Sequence, residues 1–183
     1  MNGLEPIAVE KVDFGPCATR FKEQYLGRTE GDTQFNYSIE TFVLETEEDG
    51  KVDEIVIDDA LIVTIPLLYT DVDTLATIIP WAKLVAGLNE EKKLVVGKAV
   101  GKRLSDFAGI LNLHPINKGE TDLSRDLTVH KCYPKPGPIN FAYSRQGKRI
   151  ANVQFIAMPD PTKPADENYF TLGDPSIQGD TGI

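Results

Sequence analysis

The sequence predicts a mainly β fold: a β-sandwich or barrel with a long projecting β-hairpin and one short flanking α-helix. Three observations carry that reading. Polar and apolar side chains alternate with a period of two over much of the chain, the mark of strands. Turn signals recur at the spacing of an all-β domain. One short stretch, residues 70–79, switches to a helical period. With 183 residues, 41% apolar and 26% charged, the chain suits a single domain with a real core. That domain is expected over 1–174, with a mobile tail over 175–183.

Each element follows from its residues. Thr33, Phe35, Tyr37, Ile39, Thr41 and Val43 alternate with Gln34, Asn36, Ser38 and Glu40, then Phe42. This is a half-buried strand with one polar face. The run Glu45-Thr46-Glu47-Glu48-Asp49-Gly50 ends in Asp-Gly, a hairpin turn signal, and a return strand is expected over 52–58. Residues 60–69 are apolar at nearly every position and read as a strand buried on both faces. Asp71 is placed to cap a helix whose stripe is Val72, Leu75, Ala76, Ile78 and Ile79, and Pro80 ends it. Strands are expected over 93–100 and 109–113, with Ser105 as an N-cap between them. Three more are expected over 127–133, 139–143 and 150–157, the last two joined through Ser144-Arg145-Gln146-Gly147. That makes eight or nine strands.

The first hairpin, about 33–58, does not fit inside its own domain. Fourteen extended residues from Thr33 to Thr46 span about 46 Å at ~3.3 Å each. A compact chain of this length is about 40 Å across. The hairpin therefore bends sharply or projects, and a projecting hairpin has two open edges. Its charge is extreme: between Glu45 and Asp59 stand Glu45, Glu47, Glu48, Asp49, Asp53, Glu54, Asp58 and Asp59 against Lys51 alone. Three roles compete at this point: a solvated loop, a strand pair completed by neighbouring subunits, or a cation site. An apolar pair, Phe42 and Leu44, reaches the polar face and marks a place for a bulge between Glu40 and Phe42.

Net charge is -9, which argues against a free-standing nucleic-acid reader, since such proteins neutralise phosphates. Residues 1–91 carry six Lys/Arg and 19 Asp/Glu, whereas 92–183 carry 13 and nine. Such asymmetry suits a molecule that stacks on copies of itself. Residues 45–56 fail as an EF-hand, because Val56 stands where the bidentate Glu belongs. Residues 97–103 fail as a phosphate loop, being one residue short and ending in Arg103. His114 and His130, with Cys17 and Cys132, make a zinc site only if all four converge; as spaced they read as structural. No cofactor, metal or catalytic residue is expected, and the chain reads as a non-enzyme. No run of about 18 apolar residues and no leader-type apolar segment occurs, so synthesis inside the cell is expected.

The order of short phrases adds a resemblance. Val12-Asp13-Phe14-Gly15-Pro16-Cys17-Ala18-Thr19-Arg20-Phe21 precedes Leu26-Gly27-Arg28-Thr29-Glu30-Gly31-Asp32, the long hairpin, the apolar strand and the helix. Later come Leu111-Asn112-Leu113-His114-Pro115, Asp126-Leu127-Thr128-Val129, the strand ending in Pro159-Asp160, and Leu172-Gly173-Asp174. This layout, over about 12–174, resembles the tail tube proteins (major tail proteins) of tailed bacteriophages. The resemblance implies a β-sandwich body and hexameric rings, stacked into a tube whose lumen is lined by hairpins from every subunit. It implies self-association, with tape measure, baseplate and terminator proteins, and a sheath in contractile tails, as further partners. It places the protein in the virion tail, assembled in the host cytoplasm, with DNA passing through unbound and no membrane. Gln34, Asn36, Ser38 and Glu40 would face the lumen, and Phe35, Tyr37 and Ile39 would pack on the body. Glu47, Glu48, Asp49 and Asp53 would reach the next ring, with Arg103, Arg145, Lys148 and Arg149 as acceptors. A tail terminator or baseplate hub protein of the same fold, or a monomeric acidic binding module, are the alternatives.

Overall fold

The computed structural model describes residues 16–68, 71–137 and 150–177. The strand expected over 139–143, its hairpin connection, and Arg145, Lys148 and Arg149 lie outside the described residues. Among the described residues ten strands form: β1 (Cys17–Phe21), β2 (Gln24–Tyr25), β3 (Gln34–Thr46), β4 (Gly50–Leu67), β5 (Ala82–Ala86), β6 (Lys92–Val96), β7 (Gly109–Pro115), β8 (Leu127–Pro136), β9 (Ala151–Ala157) and β10 (Phe170–Leu172). The one α-helix among the described residues is α1 (Val72–Ile78). Mainly β is therefore the class.

Eight strands make one antiparallel sheet in the order β2-β1-β7-β8-β9-β4-β3, with β10 added to β8 beside β9. The sheet curls until its ends approach. Arg28, Thr29 and Glu30, which continue from β2, bond to β4 through the pairs Glu30 N–H to Pro66 O (3.0 Å) and Leu68 N–H to Arg28 O (2.8 Å). The curl encloses the apolar face of each strand. Along β9, Ala151, Val153 and Phe155 are buried while Asn152 and Gln154 are exposed. Leu61, Val63, Ile65 and Leu67 of β4, Phe21 of β1, Leu111 and Leu113 of β7 and Val129 and Cys132 of β8 join them in the core, with Leu26 and, from the helix side, Leu75, Ile78 and Ile79. Phe21 and Phe155 meet across it at 5.0 Å between ring centroids, although three strand pairings separate their strands.

The helix forms as its sequence requires. Asp71 Oδ1 accepts the Thr74 N–H at 2.7 Å, and Leu75, Ile78 and Ile79 are buried. Pro80 follows the C-cap, where no further turn is possible. Asp71→Ala should cost about 1 kcal/mol of stability, read as a shift in the urea midpoint.

Five expectations need correcting. The return strand and the apolar strand are one: β4 runs unbroken through Asp58-Asp59, because beyond the body both of its faces are wet and paired acids do not end a strand. Strand β6 stops at Val96, not residue 100. Ser105 is not an N-cap; it lies inside a short 3-10 turn (Leu104–Phe107) preceded by Arg103, with no side-chain cap. Strands β1, β2, β5 and β10 were not expected. Ile39 does not pack on the body; it lies opposite Asp59 and is 54% exposed.

His130 of β8 is buried, its Nε2 2.9 Å from Thr171 Oγ1 of β10. Burial, chiefly, and then Lys163 push its pKa below the usual 6.5, with Asp160 and Glu167 opposing. Because the folded value is depressed, the stability it contributes is present above pH 6.5 and is lost as the pH falls through and below it. The urea midpoint should therefore drop between about pH 7.5 and about pH 5.5, and His130→Gln should flatten that drop. An unchanged slope in the variant would assign the pH dependence elsewhere.

Candidate functional site

The hairpin of β3 and β4 leaves the body where β9 ends. Strand β9 pairs with β4 only from Ile62 to Leu67, so 50–61 have a free edge among the described residues. Strand β3 is the last strand of the sheet, so among the described residues its outer edge is free too. Eleven consecutive β4 residues, 50–60, are exposed, a span of about 36 Å at ~3.3 Å per residue. At the tip Gly50 adopts φ +68°, a left-handed conformation that suits glycine. Thr46 Oγ1 accepts the Asp49 N–H at 3.1 Å and holds the turn.

Register decides which side chains share a face. Gln34, Asn36, Ser38 and Glu40 stand opposite Thr64, Ile62, Ala60 and Asp58, all on one face, and all four β3 residues are exposed. The other face is tied to the body near its root. Phe35 meets Phe170 edge-on at 5.2 Å, and Tyr37 lies 5.6 Å from Phe170 and 6.1 Å from Tyr169. The body contacts expected of Phe35 and Tyr37 are thus present, and that of Ile39 is not. A register shift falls between Glu40 and Thr41, within the stretch expected to bulge, but the extra residue is Ile57 on β4. A second shift, between Leu44 and Glu45, leaves Val52 extra.

Beyond the first shift the polar face turns apolar. Phe42 stands opposite Ile55, and Leu44 opposite Asp53. Eight large hydrophobic side chains of the hairpin are exposed: Tyr37, Ile39, Phe42, Leu44, Val52, Ile55, Val56 and Ile57, each between 44% and 58%. They occupy both faces and both bulges, so no rotation of the hairpin against its own body buries them all. Acids rim them. Glu47, Glu48 and Asp49 make the turn and Asp53 flanks it, all exposed. One small network is satisfied within the hairpin: Lys51 Nζ and Thr41 Oγ1 each donate to Glu54 at 2.5 Å. The lysine first, then the threonine, holds the Glu54 carboxyl below its usual range.

A second polar cluster lies on the outer face of the sheet. His114 Nδ1 is 2.6 Å from Asp126 Oδ1. Arg20, Asn112, Glu120 and Thr128 share with them a cavity of about 310 Å³. Among the described residues no three His, Cys, Asp or Glu side chains converge to hold a metal ion. Cys132 is buried, and burial pushes its thiol up to about 12; Cys17 is a free thiol as well. No helix of the described residues is long and apolar enough to cross a membrane.

What the fold and site define is a mainly β body carrying a projecting, open-edged and apolar hairpin with an acidic tip. No protein-family model and no curated protein matches the chain.

Proposed function

We propose that the chain is a structural subunit of a bacteriophage tail tube, closing into hexameric rings that stack into the channel for genome passage. The observation that supports it most is the hairpin: among the described residues it has two open edges and eight exposed large side chains that the body's own core does not use. Exposed edges and apolar patches of this size are interaction surfaces in folded proteins. Pairing with the hairpins of neighbouring copies satisfies the edges and buries the patch in one step.

Gln34, Asn36, Ser38 and Glu40 then line the lumen, since they form one polar face turned away from Tyr169 and Phe170. An acidic, polar lining repels the phosphate backbone, so DNA slides without being held. Beyond Glu40 the same face carries Phe42, Leu44 and Ile55, which suit contact with another copy. Tape measure, baseplate and terminator proteins are the partners at the tube ends, with a sheath outside if the tail contracts.

Negative-stain electron microscopy of the purified protein at low and high concentration tests the reading. Rings of six 20.2 kDa copies, about 121 kDa, or tubes with a central hole are expected. Rings that never stack would transfer the protein to the tail terminator or baseplate hub role. Monomers at every concentration would overturn the reading in favour of a monomeric module that grips a basic partner with its acidic tip.

A further inference from the structure

Strands β5 and β6 form a separate two-stranded ribbon. Ala82 and Leu94 pack on the core beside Trp81, and this fixes which face looks outward. The outward face is set by the register Lys83 opposite Val95 and Val85 opposite Lys93. The segment that follows, Gly97-Lys98-Ala99-Val100-Gly101-Lys102-Arg103, continues the same character. From Lys92 to Arg103 there are five cations and no acid. Only Lys92 has an ion-pair partner among the described residues, Asp73 at 2.8 Å. Lys83, Lys93, Lys98, Lys102 and Arg103 have none there. Apolar side chains lie between them: Val95 is 48% exposed and Val100 82%.

This surface is the inverse of the hairpin tip. One is basic with exposed valines, the other acidic with exposed Val52, Ile55, Val56 and Ile57. Among the described residues no ion pair joins the two surfaces. Resting on the tail-tube reading, we propose that the ribbon and the 97–103 loop of one copy receive the acidic hairpin tip of the next. Lys93, Lys98, Lys102 and Arg103 face Glu47, Glu48, Asp49 and Asp53, and Val95 and Val100 cover the apolar side of the tip. Complementary patches of this kind fix orientation and register between partners and speed encounter. The contact is head-to-tail, because donor and receptor are different patches of the same chain, and a head-to-tail contact propagates.

Two variants test it. The first carries Glu47→Lys, Glu48→Lys, Asp49→Lys and Asp53→Lys. The second carries Lys93→Glu, Lys98→Glu, Lys102→Glu and Arg103→Glu. All eight positions are exposed or on the rim of the fold, and circular dichroism checks that both variants are folded. Each alone presents like charge to like charge, and its assembly concentration by sedimentation should rise about a hundredfold. Mixed one to one they should assemble together near the wild-type concentration, since each hairpin then meets an opposite ribbon. Recovery on mixing also shows that neither was lost to misfolding. Assembly of the ribbon variant alone, as well as wild type, would overturn the proposal while leaving self-assembly standing. A wild-type chain that stays monomeric throughout would overturn both.

Discussion

Phe155→Ala should cost about 3–5 kcal/mol, the largest loss expected from any single substitution in the body. Phe155 is fully buried and lies where three parts of the core meet. It pairs in register with Val63 on one side and Pro134 on the other, and its ring contacts Phe21 across the curl. Removing it leaves a cavity bounded by strands that cannot close without losing the register that holds β4. A domain of this size is stable by roughly 5–15 kcal/mol, so the variant is expected near the edge of folding. Differential scanning calorimetry would show a melting point lower by about 6–20 °C. A fall of only a degree or two would mean that the curl collapses around the gap, and that Phe21 does not depend on its partner.

That core was legible in the sequence where strands alternate plainly. Ala151, Val153 and Phe155 against Asn152 and Gln154 need no more than the pleat to declare their inner face. Elsewhere the usual signs are missing. Strands β1 and β2 join through Lys22 and Glu23, both at positive φ (49° and 66°). That backbone normally selects glycine or asparagine, and neither is there to mark the turn. Lys22 also crosses Gly109, where an added Cβ would come within 2.5 Å of its side chain. The fit that holds this turn is tertiary and leaves no local trace. Strand β10, three residues long, pairs because it follows a loop back to β8, and three residues carry no periodicity.

The hairpin was legible for a different reason. Its length exceeded the domain and its turn was marked by Asp49-Gly50, so arithmetic left two choices, a sharp bend or a projection, and the exposure of residues 50–60 is that of a projection. What could not be read was the division of the faces. Both register shifts place their extra residue, Ile57 and Val52, on β4, and a bulge depends on the twist of the pair, not on either strand's sequence. Without the shifts Val56 passes for a partner of Phe42, whereas Ile39, which shares the face of Phe35 and Tyr37, is exposed because it lies past the point where the body ends. The basic ribbon was visible only in part, as a strand expected over 93–100, as Arg103 among the acceptors and as a charge imbalance between the two halves of the chain. Strand β5 gave no alternation strong enough to raise it, so the cations of β6 had no surface to belong to.

Replacing Phe42 and Ile55 together with serine should abolish assembly and leave the monomer as stable as wild type. The two face each other on the hairpin beyond the body, 56% and 51% exposed. In a lone chain they contribute little, since each still meets water over half its surface. Burying the remainder against another copy is worth about 1 kcal/mol per side chain. That gain recurs in every subunit of a ring, so a modest loss at each site multiplies over the closed assembly. Sedimentation and electron microscopy should therefore show monomers at concentrations where wild type forms rings or tubes, with melting temperatures within about 2 °C of each other. The converse pair, Gln34→Ser with Asn36→Ser, alters the polar face without touching the apolar patch and should assemble normally. Two results would defeat the argument. If the double serine variant still forms rings, the exposed patch is not what copies share. If it melts far below wild type, Phe42 and Ile55 belong to the monomer's own fold, and the hairpin does not project as the register requires.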